Sequence, residues 1–125
     1  WLDLLTEKNF YMLRKIIKPW GYEILLEKNN KYVLKKLFMK KGHRCSLQYH
    51  RVKKETIFVL NGKIKIYFGK DKNKLKHKIF KSQETITIKP RIIHRMEAII
   101  SSTYLEASTP ELIDVVRLDD DYKRA

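Results

Sequence analysis

GHRCSLQYHRVKKETIFVLNG, residues 42–62, is the stretch whose reading decides the fold. Successive side chains of a strand point to opposite faces, so in CSLQYH the side chains of Ser46, Gln48 and His50 share one face. Cys45, Leu47 and Tyr49 take the other. Glu55 opens the next apolar run, ETIFVL, and strand pairing across residues 51–54 brings its carboxylate toward His50. Asn61-Gly62 then reads as a two-residue hairpin into KIKIYF, because both residues tolerate the positive φ that such a turn demands.

The same texture extends in both directions. YEILLE, KYVLKKLFMK, HKIF, TITIK, IIHRMEAII, STYLEAS and LIDVVRL are short runs rich in β-branched and aromatic residues, giving about ten strands in all. Turn-forming residues separate them: KNN at 28–30, KKG at 40–42, GKDKN at 69–73, KSQ at 81–83 and STP at 108–110. So many short strands in one domain must bury their edges in a barrel or a two-sheet jelly roll. WLDLLTEKNFYMLRKI, residues 1–16, has apolar residues at roughly helical intervals and predicts a short helical or irregular segment. The expected organisation is an amino-terminal extension over 1–17 and one all-β domain over 18–125.

A chain of 125 residues fits one domain, and no run approaches the roughly 20 apolar residues of a membrane-spanning helix. Cys45 is the single cysteine, so no internal disulfide framework exists. The expectation is a soluble protein of a reducing compartment, the cytoplasm. The 28 Lys and Arg against 14 Asp and Glu give a formal charge of +14, which favours anionic ligands such as phosphorylated metabolites. Lysine supplies 21 of those cations and is scattered without interleaved aromatics, which reads as a solvated surface and not as a nucleic-acid footprint.

Gln48, His50 and Glu55 gain a candidate fourth partner in His94, carried by IIHRMEAII. Two imidazoles, an amide oxygen and a carboxylate form a mixed nitrogen and oxygen donor set suited to zinc, with manganese, iron, nickel or cobalt as alternatives. The competing reading is a buried network in which these groups satisfy one another. His43 and His77 stand in turn or lysine-rich surroundings and are read as ordinary hydrogen-bonded or surface groups.

The spacing Gly42, five residues, Gln48, one residue, His50, four residues, Glu55, six residues, Gly62 resembles the first motif of the cupins, with glutamine where most carry a first histidine. The phrase SLQYH, with KPWGYE at 18–23, IIHRMEA at 92–98 and DVVRLDDDYKR at 114–124, resembles the cupin domain of mannose-6-phosphate isomerases and of bifunctional mannose-1-phosphate guanylyltransferases. That resemblance implies a cupin-type double-stranded β-helix, a divalent metal held by Gln48, His50, Glu55 and His94, and interconversion of an aldose and a ketose phosphate. It implies a phosphorylated sugar or nucleotide-sugar ligand and a homodimer, with neither nucleic acid nor membrane as a partner. Within it, Lys35 or its neighbour Lys36 is the candidate base and Arg95 a candidate catalytic residue and phosphate ligand, while Lys35, Ser46 and Arg117 are further candidate substrate contacts. Two departures stand out: Lys89 and Arg91 flank Pro90 where the second motif carries proline and glycine, and RVKK with Thr56-Ile57 replaces a histidine-rich run. Without that glycine the turn before His94 is expected to avoid positive φ, leaving the aim of His94 in question. The alternatives are a metal-free sugar epimerase and an accessory sugar-binding cupin module.

Overall fold

Alternation at a period of two becomes eleven strands in the computed structural model, which describes residues 14–124. In chain order they are β1 (Arg14–Lys18), β2 (Gly21–Lys28), β3 (Val33–Met39), β4 (Leu47–Tyr49), β5 (Glu55–Asn61) and β6 (Lys63–Gly69). There follow β7 (Lys76–Lys81), β8 (Thr85–Ile88), β9 (Ile93–Ala98), β10 (Ser102–Ser108) and β11 (Val116–Asp119). One sheet has the order β1-β2-β3-β10-β5-β8 and the other β11-β4-β9-β6-β7, with the named ladders antiparallel. This is the two-sheet jelly roll of the cupin type, without a helix among the described residues.

Two local expectations are corrected. Residues 14–16 of the expected helical segment, with Ile17 and Lys18, form β1 against β2, and the remainder of that expectation lies outside the described residues. Asn61-Gly62 is not a hairpin: β5 pairs with β10 and β8, whereas β6 pairs with β7 and β9 in the opposite sheet. Of the two turn residues only Gly62 has positive φ, at 101°. A Cβ there would lie 2.1 Å from Ser102 Oγ, so the glycine permits a close crossing between sheets. Turn chemistry encodes a reversal of the chain but not the sheet that the next strand enters.

The inward-facing positions change character along each strand. At one end Val59, Ile64, Ile66, Met39 and Ala98 are all but fully buried and form the apolar core with Trp20, Phe80 and Met96. Burying each large side chain contributes roughly 1.5–3 kcal/mol. Moving along the same inner face, β5 runs from Val59 through Ile57 to Glu55, β9 from Ala98 through Met96 to His94, and β10 from Tyr104 to Glu106. The core therefore grades into a polar cavity without any change of fold.

Candidate metal centre and cavity

His50, Glu55 and His94 converge at the polar end, their donor atoms all within 4.8 Å of one another. His50 Nε2 is 3.3 Å and His94 Nε2 3.0 Å from the same oxygen, Glu55 Oε1. His50 and Glu55 do not meet through a shared ladder, as local pairing suggested. His50 directly follows β4 of one sheet and Glu55 opens β5 of the other, so the two face each other across the interior. Gln48 is the ladder partner of His94 and lines the same cavity as His50 and Glu55.

Backbone carbonyls fix both imidazoles. His50 Nδ1–H donates to the Asp114 carbonyl, and His94 Nδ1–H donates to the Ile92 carbonyl at 2.9 Å. Each ring is thereby held with Nε2 toward Glu55, the arrangement by which outer groups set a ligand histidine's tautomer and aim. His94 Nε2 has no hydrogen-bond partner although the residue is fully buried. A buried nitrogen left so, facing a carboxylate and a second imidazole nitrogen, fits a cation ligand better than a self-satisfied network. The donor set fits a divalent ion.

The turn before His94 resolves the expected conflict. Arg91 adopts φ 68°, the left-handed conformation for which glycine is favoured, and its backbone N–H donates to the His50 carbonyl at 2.6 Å. Non-glycine residues enter this region at a cost. The geometry survives the substitution, and His94 points inward.

Asp114 builds the other side. Its carboxylate accepts the backbone N–H groups of Arg51, Val52 and Lys53 at 3.0, 2.7 and 2.9 Å while its carbonyl holds His50. Those hydrogen bonds, led by those from Lys53 and Val52, hold its carboxyl down to about 2. Lys53 turns inward to Glu55 Oε2 at 3.6 Å and Glu106 Oε2 at 3.5 Å. Burial alone would raise the Glu55 carboxyl, but His50, His94 and Lys53 outweigh it and hold the group well below the usual range. Burial, reinforced by the charge of Glu55, pushes Glu106 up to about 7 even though Lys53 and Lys35 pull it down.

The cavity above these groups has a volume of about 280 Å³. Its wall includes Lys35, the cross-strand partner of Glu106, and Arg117, the cross-strand partner of Gln48, with Arg14 and Arg124. Lys35 Nζ is 3.4 Å from Glu23 Oε2.

Three residues take places other than those expected of them. Arg95 is not among the cavity-lining residues: it faces the opposite side of β9 from His94, donating from Nε to the Cys45 carbonyl at 2.9 Å and pairing with Asp119 and Asp121 at 3.6 and 3.8 Å. Ser46 is buried, and its hydroxyl donates to Gln48 Oε1 at 2.6 Å. Cys45, expected on the far face, lines the cavity instead, because β4 begins only at Leu47 and alternation does not reach back to it. Burial pushes its thiol up to about 11. His43 and His77 follow expectation: His43 Nδ1 contacts the Tyr122 hydroxyl at 2.9 Å, and His77 is exposed beside Tyr67.

The family model described as mannose-6-phosphate isomerase C-terminal matches residues 6–120. The chain belongs to that family. It is 28% identical over 127 residues to mannose-1-phosphate guanylyltransferase 2 of Escherichia coli O157:H7, a match that covers 98% of the chain and 25% of the relative. The chain thus spans a quarter of that relative's length. Among solved structures, the capsular polysaccharide assembling protein CapF of Staphylococcus aureus superposes with a TM-score of 0.76 at 18% identity, covering 89% of this chain and 35% of CapF. Oxalate decarboxylase of Bacillus subtilis gives 0.75 at 11% identity over 85% of this chain and 30% of that one. Identities this low establish the shared cupin fold and nothing further about chemistry.

Proposed function

We propose that this domain is a metal-dependent sugar-phosphate isomerase of the mannose-6-phosphate type. The observation that carries the reading is the convergence of His50, Glu55 and His94, with both Nδ1 atoms tied to backbone carbonyls, where His50 and Glu55 line a cavity that Lys35, Lys53, Arg117 and Arg124 also line. Gln48 completes the set of residues that would hold the ion, for which zinc is our assignment. A divalent ion there supplies Lewis-acid stabilisation of the negative oxygen that develops as an aldose becomes an enediol.

This chain's own residues supply the rest. Moving a proton between C1 and C2 needs a carrier poised near neutrality. We assign it to Glu106, which faces the cavity beside Lys53. Lys35, expected from the sequence to be the base, is ion-paired with Glu23 and better suited to neutralising substrate oxygens as an ammonium. Arg117 would take the phosphate, since a guanidinium fork matches paired anionic oxygens, and Arg14 also lines the cavity. In this assignment Arg95 and Ser46 serve the scaffold. Cytoplasmic location and pairing of two copies belong to the same reading.

Metal analysis of the purified protein, together with conversion of mannose 6-phosphate to fructose 6-phosphate by wild type and His50→Ala, tests the proposal. Stoichiometric metal and turnover that the substitution abolishes are the expected result. Bound metal without turnover would point to an accessory sugar-binding module. Turnover without metal would point to metal-free chemistry.

A further inference from the structure

RLDDDYKR, residues 117–124, carries three consecutive aspartates, each paired with an arginine, and Arg95 reaches two of them. Asp119 Oδ2 is 3.6 Å from Arg95 Nη1. Asp120 accepts from Arg124 Nε and from the Arg124 backbone N–H, both at 2.8 Å. Asp121 receives a two-pronged pair from Arg44, Nε to Oδ2 at 2.6 Å and Nη2 to Oδ1 at 2.8 Å. Next to it, Tyr122 stacks on His43, packs against the apolar core and shares a hydrogen bond with the His43 ring.

Arg44 and His43 lie immediately before β4, on the connection that leads into the metal-binding strand. The tail is therefore fastened on the flank of the barrel, while two of its arginines reach the interior: Arg117 opposite Gln48 through the β11–β4 ladder, and Arg124 through the turn that Asp120 folds back. We propose that residues 116–124 form a clasped strap that positions Arg117 and Arg124 at the cavity mouth for an anionic ligand, and that Arg44 is the positioning residue that fastens it. The anionic ligand rests on the reading given under Proposed function; the clasp itself does not.

The bidentate fork is the reason that arginine stands at position 44, because a lysine ammonium offers charge without the matched pair of donors. The pair is partly exposed, with side-chain exposures of 35% and 39%, so its contribution is modest and the strap loosens without the barrel unfolding.

The test uses Arg44→Ala, Arg44→Lys and Asp121→Asn in the whole chain, none of which touches the cavity. Amide exchange of residues 117–124 is expected to speed about fivefold in Arg44→Ala and Asp121→Asn and to return most of the way in Arg44→Lys. Dissociation constants for mannose 6-phosphate and for inorganic phosphate should rise about fivefold in step with that exchange, at unchanged metal content. Tail exchange or anion affinity unchanged in Arg44→Ala overturns the proposal, as does a wild type that binds neither anion. Binding of inorganic phosphate alone, with the same dependence on Arg44, upholds the strap and removes the sugar phosphate. Retained binding of both anions without isomerisation upholds the strap and removes the isomerase.

Discussion

His94 Nε2 stands 3.0 Å from Glu55 Oε1 without hydrogen-bonding to it. With His50 Nε2 at 3.3 Å from the same oxygen, the three side chains form a donor set that fits a divalent ion. Adding zinc to metal-stripped protein is expected to stabilise it by about 2.7 kcal/mol at a hundredfold excess over the dissociation constant. His94→Ala should lose most of that gain, read as the difference in thermal midpoint with and without metal.

Asp114 links acid stability to the site. Its carboxyl is held down to about 2 from a usual 3.8 by three backbone N–H groups, so the folded state binds this proton less readily than the unfolded chain. The stabilisation is present above about pH 3.8 and is lost as pH falls through about 2. Because the carboxylate is partly exposed, its share is discounted to about 1 kcal/mol. Asp114→Asn should unfold at lower denaturant than wild type at pH 7 and converge with it near pH 2.

Glu106, pushed up to about 7, is protonated in acid and available as a base above neutrality. Isomerase turnover is expected to rise with pH through about 7, and Glu106→Gln should lower it by roughly a hundredfold or more while flattening that limb. An unchanged pH profile in the variant would remove Glu106 from proton transfer.

Arg91 pays a conformational cost at φ 68° that glycine would not. Arg91→Gly should raise stability by about 0.5–1 kcal/mol, set by the balance between relieved strain and the greater freedom of glycine in the unfolded chain. Denaturant titration reads the sign directly.

The site was legible in the sequence as far as residue type and parity reach. Gln48 and His50 lie two apart, which fixed their common face, and spacing singled out Glu55 and His94. Glu106 escaped notice because STYLEAS reverses the usual pattern: its buried face carries Ser102, Tyr104, Glu106 and Ser108, while Leu105 and Ala107 face outward. No rule that places apolar residues inside finds such a strand. Asp114 escaped because its role lies in its carbonyl and in three distant N–H groups, contacts that residue type does not encode. Arg95 attracted attention by standing next to His94, yet adjacency on a strand is what sends two side chains to opposite faces.

By itself the sequence determined an all-β chain of short strands, its family, and the faces on which the candidate ligands lie, because alternation and turn chemistry are local properties. Only the tertiary structure decided which sheet each strand joins, that His50 and Glu55 meet across the interior instead of along a ladder, and which cations reach the cavity. Those outcomes depend on contacts between residues far apart in the chain, where the pairing of sheets and the packing between them, not the preference of any one segment, set the geometry.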